Sequence, residues 1–176
     1  YFVRRMAKQG LIGFACSNAT AMVAPFGGKR PIFGTNPLAF GIPRLNAEPL
    51  VIDFSTSATA FVNVAGAAAN NETIPDSWAL DTEGRPTTDP NAGMAGSLQP
   101  LGGAKGTGLG LMVEILAAGL SGSAWSIEVP QFDTASCIPP RLGQFYMSVD
   151  PSRFGNPNLL LRLEVMLEEM LSQENV

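Results

Sequence analysis

The sequence predicts an α/β fold, a mixed sheet with flanking helices, in a chain of 176 residues. Short apolar runs bounded by turn residues indicate strands, and longer segments with apolar residues every three or four positions indicate helices. The mixture of the two leaves an α+β arrangement open beside α/β. Hydrophobic residues make up 45% of the sequence and charged residues 15%, which suits one packed core and is too apolar for disorder. We expect a single partial domain over residues 1–176, because no linker divides the chain.

Apolar runs of strand length recur along the chain. They span residues 11–16, 38–43, 50–54 and 144–149. Residues 1–9 come before the first run and predict the end of an amphipathic helix, which Gly10 would stop with a left-handed cap. The first strand should be buried and should end at Ser17 and Asn18, a polar turn.

Helical signals follow in the rest of the chain. They cover residues 55–69, a short helix from Pro90, residues 107–120 and residues 159–171. The first of these opens with three plausible N-caps, Ser55, Thr56 and Ser57. The third should be largely buried, and the last should point its acidic residues outward, Glu164, Glu168 and Glu169. Residues 72–100 and 121–143 show little periodicity.

Composition excludes several classes of function. A net charge of -4 argues against a nucleic-acid partner, because such a surface needs a basic stripe. The chain has no His, so it cannot by itself build a Ser-His-Asp triad, a His-ligated zinc site or an imidazole proton shuttle. Cys16 and Cys137 lack the spacing of metal ligands and predict two buried reduced thiols of an intracellular protein, although a disulfide between them stays open. No apolar run reaches the roughly 20 residues that span a bilayer.

A glycine-rich segment precedes the helix predicted over residues 107–120. Its sequence is Gly102-Gly103-Ala104-Lys105-Gly106-Thr107-Gly108-Leu109-Gly110. It lacks the Walker order of Lys after the last Gly, and Leu111 stands where a dinucleotide fingerprint needs its third Gly. Two interpretations stay open. Backbone N–H groups, a helix N-terminus and Lys105 could hold a phosphate, or the segment is a plain tight turn with a solvated lysine.

Three other turns carry polar side chains with the same two interpretations. Thr35 and Asn36 could donate to a ligand or could hold their own turn together. Asp53 follows an apolar strand, where ligand sites collect in open sheets, or it caps the next helix. Ser17, with the adjacent Asn18, ends the first strand in the same way.

No single motif is specific for one class of protein. The order in which the motifs follow one another over roughly residues 1–155 is specific. The motifs in that order are Ser17-Asn18, Pro25-Phe26-Gly27-Gly28, Gly34-Thr35-Asn36-Pro37-Leu38-Ala39-Phe40, Asp53-Phe54-Ser55-Thr56-Ser57, Ile74-Pro75-Asp76-Ser77-Trp78-Ala79-Leu80-Asp81, Gly84-Arg85-Pro86-Thr87-Thr88-Asp89-Pro90, Pro100-Leu101-Gly102-Gly103-Ala104-Lys105-Gly106 and Gly143-Gln144. This order resembles the malate/L-lactate dehydrogenase family of NAD(P)-dependent oxidoreductases, which includes ureidoglycolate dehydrogenase and piperideine-2-carboxylate reductase.

The resemblance implies a fold distinct from the Rossmann fold. It also implies hydride transfer between the nicotinamide of NAD or NADP and a small 2-hydroxy, 2-keto or cyclic 2-imino acid. We expect no metal and no membrane partner, a cytoplasmic location, and a homodimer for the full-length family member. The cofactor-binding residues that the resemblance implies are Ser17, Thr35, Asn36, Pro37, Asp53, Phe54, Ser55, Gly103 and Lys105.

The chain departs from the family pattern at several points. Family members are longer, and their catalytic His lies in a Ser-x-His-Phe motif that the resemblance places ahead of Tyr1. Asn63 stands at a usually charged position, and Ala104 stands where His is frequent. We therefore expect the cofactor-binding central part of a longer oxidoreductase, which by itself lacks the acid catalyst and turns over no keto acid.

Two other functions stay open. The chain could be a catalytically inactive binding or assembly protein of the same fold, which Asn63 and Ala104 favour. A Ser-x-His-Phe motif encoded ahead of Tyr1 would support the enzyme, and a start codon there would support the inactive protein. The third option is an unrelated phosphate-binding module that uses only residues 102–108.

Overall fold

The computed structural model describes residues 1–130 and 139–173. The chain forms two compact units that interleave along the sequence. Unit 1 comprises Tyr1–Ala15, Ala39–Asp53 and Tyr146–Val176, and unit 2 comprises Cys16–Leu38 and Phe54–Phe145. Because each unit takes its segments from separate parts of the chain, no single linker lies between them.

The elements confirm the mixed α/β class. The strands are β1 (Ile12–Ser17), β2 (Leu38–Ile42), β3 (Leu50–Phe54), β4 (Ala79–Leu80), β5 (Pro86–Thr87), β6 (Ser97–Leu98) and β7 (Gln144–Val149). The α-helices are α1 (Phe2–Lys8), α2 (Phe61–Asn70), α3 (Pro90–Ala95), α4 (Ala104–Glu114) and α5 (Leu159–Leu171). One sheet has the strand order β3-β2-β1-β7, and a smaller antiparallel sheet has the order β5-β4-β6.

Helix α1 ends as the sequence predicts. Gly10 has a left-handed φ of +80°, and its N–H donates to the Ala7 carbonyl at 3.0 Å. The next amide, Leu11, donates to the Met6 carbonyl at 3.1 Å. These bonds satisfy the last carbonyl groups of α1 and turn the chain into β1.

Helix α5 has the predicted bounds, but Glu164 does not point outward. Its carboxylate accepts hydrogen bonds from Arg44 Nε at 3.2 Å and Arg44 Nη2 at 2.6 Å, and from the Leu45 amide at 3.2 Å. The two charged side chains are 29% and 26% exposed. The hydrogen bond from Arg44 is the main reason that the pKa of Glu164 lies below its ordinary value. Helical periodicity could not reveal this partner, because it lies in the loop between β2 and β3.

The hydrophobic core of unit 2 gathers side chains from α2 and the small sheet. Its buried members are Val23, Phe33, Val64, Ala67, Ile74, Ala79 and Leu98. Val23 forms an antiparallel bridge to Phe33 and a parallel bridge to Leu98, which joins two loop segments through the core. Sequence periodicity missed β4, β5 and β6, since strands of two residues are too short to show alternation.

The predicted start of α2 is wrong. The helix begins at Phe61 after Ala60, and the three expected N-caps lie several residues ahead of it. Thr56 and Ser57 are buried and donate instead to the carbonyl groups of Thr35 and Thr59. The predicted end is confirmed, because Asn71 closes α2 in the left-handed conformation. Helix α3 is also confirmed, with Asp89 accepting from the Asn91 amide at 2.9 Å as its N-cap.

Helix α4 begins three residues earlier than predicted and is less buried. It starts at Ala104, ends at Glu114 and continues into a wide turn over Ile115–Gly119. Its apolar side chains Leu111 and Met112 are exposed, and so are Ile115 in the wide turn and Leu120 directly after it. Glycines occupy the buried positions 106 and 110, so the close-packed face of α4 is the glycine face.

Two expectations from composition can be compared with the structure. Cys16 is a buried free thiol, and desolvation by burial raises its pKa. Cys137 lies outside the described residues, as does any pairing with it. Among the helices that the structure describes, none combines the length and the apolar character needed to cross a membrane.

We predict opposite effects from adding a methyl group at two glycines of α4. A Cβ at Gly106 would collide with the Leu101 carbonyl oxygen, whereas a Cβ at Gly108 would meet nothing within 4 Å. Gly106→Ala should lower the free energy of unfolding by about 1–3 kcal/mol. Gly108→Ala should raise it by up to about 1 kcal/mol, because alanine favours a helix. Urea unfolding measures both, and a stability loss of equal size at both positions would contradict the packing described.

We predict that the stabilisation from Glu164 depends on pH. Its folded-state pKa lies below that of the unfolded chain, about 4.3, so the stabilisation is present above that value and is lost as pH falls through the folded-state pKa. Glu164→Gln should therefore be less stable than the parent at pH 7, and the two should converge once the pH falls below the folded-state pKa of Glu164.

Urea unfolding at several pH values measures this difference. Glu168→Gln, an exposed change on the same helix, is the control and should follow the parent at every pH. A gap between parent and Glu164→Gln that stays constant down to pH 3 would show that the ion pair is not its source.

Candidate functional site

The glycine-rich segment forms the start of α4. Gly103 is its N-cap residue with a φ of +67°, and it supplies no side-chain cap. Gly102 is also left-handed, with a φ of +60°, and a Cβ there would meet nothing within 4 Å. Lys105 lies exposed in the first helical turn. The first N–H groups of α4 therefore lack a capping side chain. They lie beside the free space around Gly102 and the exposed ammonium group of Lys105.

Backbone hydrogen bonds bring the predicted turns of unit 2 together. The Thr56 amide donates to the Thr35 carbonyl at 2.9 Å, and the Leu101 amide donates to the Thr56 carbonyl at 2.9 Å. The Ser17 amide donates to the Pro37 carbonyl at 3.2 Å. Four segments that are distant in sequence are thus joined, and the last of them leads directly into Gly103 and Lys105.

The hydroxyl groups of Ser17 and Ser55 already donate their protons to hydrogen bonds within the protein. Ser17 Oγ donates to the Asn18 carbonyl at 2.9 Å. Ser57 Oγ donates to the Thr59 carbonyl at 2.7 Å, so Ser55, whose Oγ lies 2.9 Å from that of Ser57, is the donor to Ser57. The oxygens of Ser17 and Ser55 are half-buried and keep lone pairs that can accept hydrogen bonds.

Asn36 lies in this group, but its side chain faces the protein interior. The residue is fully buried, and its φ is +38°. Its Nδ2 donates to the Gly110 carbonyl at 3.0 Å and to Glu114 Oε2 at 2.7 Å, while Oδ1 is buried and has no partner among the described residues. Of the two interpretations that the sequence left open, the geometry supports the structural one, in which Asn36 holds its turn.

Sequence reasoning missed Glu114. Its side chain is 4% exposed at the end of α4, where it accepts from Asn36 and from Ser126. The Ser126 amide donates to Oε1 at 2.5 Å, and the Ser126 hydroxyl donates to Oε2 at 2.7 Å. A lone carboxylate within a predicted buried helix was the signal, because such a group needs partners.

Asn18 and Thr107 also tie segments together. Asn18 Nδ2 donates to the Ala124 carbonyl at 2.8 Å, and its Oδ1 accepts from the Gly143 amide at 2.8 Å. Thr107 Oγ1 accepts from the Phe26 amide at 2.9 Å and donates to the Gly103 carbonyl at 3.2 Å. Thr107 thereby fixes the loop of Phe26, one of the motifs of the resemblance, beside the start of α4.

The remaining candidates are placed differently. Asp53 and Phe54 are exposed and close β3, as the sequence predicts for Asp53. Asp53 belongs to unit 1, whereas the other candidate residues belong to unit 2. Asn63, at the position where the resemblance expects a charge, is exposed on α2 and donates through Nδ2 to Thr59 Oγ1 at 3.0 Å.

The turns of unit 2 suit an elongated ligand with anionic and hydroxyl groups. An uncapped helix start with a neighbouring lysine attracts an anion, and free oxygen lone pairs accept hydroxyl donors. These features fit the pyrophosphate and riboses of a dinucleotide, with one exception: the buried Asn36 side chain cannot reach such a ligand. In the part of the chain that the structure describes, no three His, Cys, Asp or Glu side chains gather as metal ligands.

Comparison with known proteins identifies the class and then the family. The fold is that of mixed α/β dehydrogenases among solved structures. A family model of malate/L-lactate dehydrogenase matches residues 1–176. The chain belongs to this family, as the order of its turn motifs predicts.

Curated relatives include enzymes named as dehydrogenases and enzymes named as reductases. A (2R)-3-sulfolactate dehydrogenase (NADP(+)) of Chromohalobacter salexigens is 47% identical over 174 residues, which cover 99% of this chain and 52% of that protein. Delta(1)-pyrroline-2-carboxylate reductase 2 of Burkholderia multivorans is 41% identical over 174 residues, 97% of this chain and 51% of that protein. The chain thus spans about half the length of these relatives.

Solved structures agree. Delta1-piperideine-2-carboxylate reductase from Pseudomonas syringae pvar. tomato has a TM-score of 0.90 at 37% identity, covering 99% of this chain and 53% of that one. Sulfolactate dehydrogenase from Methanocaldococcus jannaschii has a TM-score of 0.89 at 30% identity, covering 100% and 51%. Both identities are high enough for the shared fold to reflect common family membership.

We predict that the Thr107 hydroxyl anchors the Phe26 loop. Thr107→Val keeps the shape of the side chain and removes the acceptor of the Phe26 amide, so unfolding should become easier by about 1 kcal/mol. Amide hydrogen exchange should be faster at Phe26. Thr107→Ser keeps the hydroxyl group and should behave like the parent, and equal exchange at Phe26 in all three proteins would disprove the anchor.

Proposed function

We propose that the whole protein is an NAD(P)-dependent oxidoreductase, which transfers hydride between nicotinamide and a 2-hydroxy or 2-keto acid, or a cyclic 2-imino acid. In this proposal the present chain supplies the turns that bind the dinucleotide. The observation that carries the proposal is the hydrogen-bonded meeting of Ser17, Thr35, Thr56 and Leu101 beside the start of α4. A group of turns like this suits a ligand whose polar groups are spread over its length.

The start of α4 supports the phosphate part of the proposal. Its first turn contains Lys105 and no acidic residue. The helix dipole disfavours a cation at this end, so the arrangement weakens the isolated helix. A bound pyrophosphate reverses that relation, because it interacts favourably with Lys105 and with the uncapped N–H groups.

Oxygen acceptors support the ribose part. Ser17 and Ser55 have directed their own protons elsewhere, so they can accept from ribose hydroxyl groups. Asp53 belongs to unit 1, and its contact with the cofactor stays a prediction from the resemblance. Thr35, Pro37 and Phe54 line the same turns, and we assign them contacts with the remaining cofactor surface.

The chemistry divides between the cofactor and the protein. A bound nicotinamide supplies the hydride. Residues of this chain bind and orient the cofactor, and Asn36 keeps the Thr35 turn in place from inside. The chain has no His, so we assign the proton donor for the substrate oxygen or nitrogen to a group outside these 176 residues.

The names of the relatives support the substrate class. Sulfolactate and the two cyclic carboxylates share a carboxyl group next to a carbon that bears oxygen or nitrogen. The Chromohalobacter enzyme is named with NADP(+), which favours NADP over NAD for this chain. We also propose a cytoplasmic location and a homodimer for the whole protein. Exposed apolar residues on α5 suit a contact of this kind, Leu161, Val165, Met166, Met170 and Leu171.

A second candidate is a binding protein of the same fold without catalysis. Asn63 and Ala104 favour it, because the resemblance expects a charged residue at the first position and often His at the second. The reading frame ahead of Tyr1 tests it: an encoded Ser-x-His-Phe motif favours the enzyme.

We predict that the chain binds NADPH through Lys105 and Thr35. In a fluorescence titration, Lys105→Gln should weaken binding about tenfold through loss of a charge-assisted phosphate contact. Lys8→Gln removes the same charge from unit 1 and should leave binding unchanged. Thr35→Ala should also weaken binding, whereas a simple phosphate module confined to residues 102–108 would be indifferent to it.

The same titration can contradict the proposal. No NADPH binding by the folded parent chain would remove the cofactor role from these turns. Equal affinity in the parent, Lys105→Gln and Thr35→Ala would place the binding site elsewhere.

A further inference from the structure

Glu114 is a buried carboxylate whose described partners are all neutral. Its three hydrogen bonds come from Asn36 and Ser126, and none of the ion pairs among the described residues includes it. Removing a charge from water costs free energy that neutral donors only partly return. An apolar residue at the end of α4 would avoid that cost. The presence of a carboxylate there therefore indicates a role other than filling the core.

The three bonds join three segments of unit 2. Glu114 ends α4, Asn36 lies in the turn Gly34-Thr35-Asn36-Pro37, called here the 34–37 turn, and Ser126 begins a short 3₁₀-helix. Asn36 holds a φ of +38°, a conformation that asparagine tolerates better than most residues but that still carries strain. Its side-chain bonds to Glu114 and Gly110 offset that strain.

The residues on either side of Asn36 hold the other candidate segments. Thr35 offers its carbonyl to the amide and hydroxyl of Thr56, at 2.9 and 3.2 Å. Pro37 offers its carbonyl to the Ser17 amide at 3.2 Å. A rotation of the backbone at Asn36 would redirect both carbonyl groups and would break both links together.

We propose that Glu114 is a positioning residue for the dinucleotide site, which acts through Asn36 to hold the 34–37 turn, Ser17 and Thr56 in the binding arrangement. The inference rests on the proposed cofactor function and extends it to a residue that does not touch the cofactor. Glu114 is 4% exposed, so its effect on a ligand must pass through its neighbours.

Only a carboxylate satisfies the three donors at once. In Glu114→Gln, an amide NH2 must replace one of the two acceptor oxygens. At Oε1 it would face the Ser126 amide, and at Oε2 it would face the Asn36 NH2 group. Rotating the Asn36 amide would turn its Oδ1 toward the Gly110 carbonyl, so the neutral variant loses the link.

Amide hydrogen exchange tests the positioning role without any cofactor. Glu114→Gln should speed exchange about tenfold at the Ser17 and Thr56 amides, the loss expected for a hydrogen bond to a charged group. The Leu98 amide, bonded to the Met22 carbonyl in the core, should be unaffected. Unchanged exchange at Ser17 and Thr56, or equal acceleration at Leu98, would overturn the proposal, since the latter would indicate general destabilisation.

Two further variants complete the test. Glu83→Gln removes the same charge from an exposed position of unit 2 and should leave both amides unchanged. If Glu114→Gln does not fold, Asn36→Gly removes the link while permitting the positive φ, and the same two amides should exchange faster.

NADPH titration of the same variants separates this inference from the proposed function. Glu114→Gln should weaken NADPH binding about tenfold. Parent-like affinity in Glu114→Gln would overturn the positioning role. A parent that binds no NADPH would refute the cofactor function, while the exchange rates would still decide whether Glu114 holds the turn.

Discussion

The carbonyl groups of Thr35 and Pro37 join separate segments of unit 2, because Thr56 donates to the first and Ser17 to the second. Both bonds depend on the backbone at Asn36, which lies between them in a left-handed conformation. The Asn36 side chain is fixed in turn by Glu114. A few hydrogen bonds around one strained residue therefore decide whether the candidate site exists as a site or as unrelated turns.

Much of the fold could be predicted because it depends on local patterns. The helical periodicity of α1 and α5, the left-handed stop at Gly10 and the cap at Asp89 are properties of neighbouring residues. The turns of the site were also recognisable, since Gly, Pro and Asn mark backbone conformations that other residues avoid. Their meeting in space was not a local property, and it was inferred from the resemblance to a family.

The errors share a physical cause. Ser55, Thr56 and Ser57 have the composition of a helix start, but partners distant in sequence hold Thr56 in the site. Glu164 follows the pattern of an exposed helix face, yet Arg44 lies opposite it. Glu114 interrupts an apolar helix, and its acceptors face residues far from it in the chain. The hydrogen-bond partners of buried polar groups are set by the tertiary structure. Hydrophobic periodicity, which is a local pattern, therefore does not predict them.

The interleaving of the two units bears on how the chain matures during translation. The segments of unit 2 in this chain have all been synthesised by residue 145, whereas β1, β2 and β3 must wait for β7, which neighbours β1 in the sheet. At about 5–20 residues per second, that wait lasts for seconds with a strand edge uncovered. An open edge can pair with other nascent chains, so this sheet is exposed to aggregation until β7 has been made.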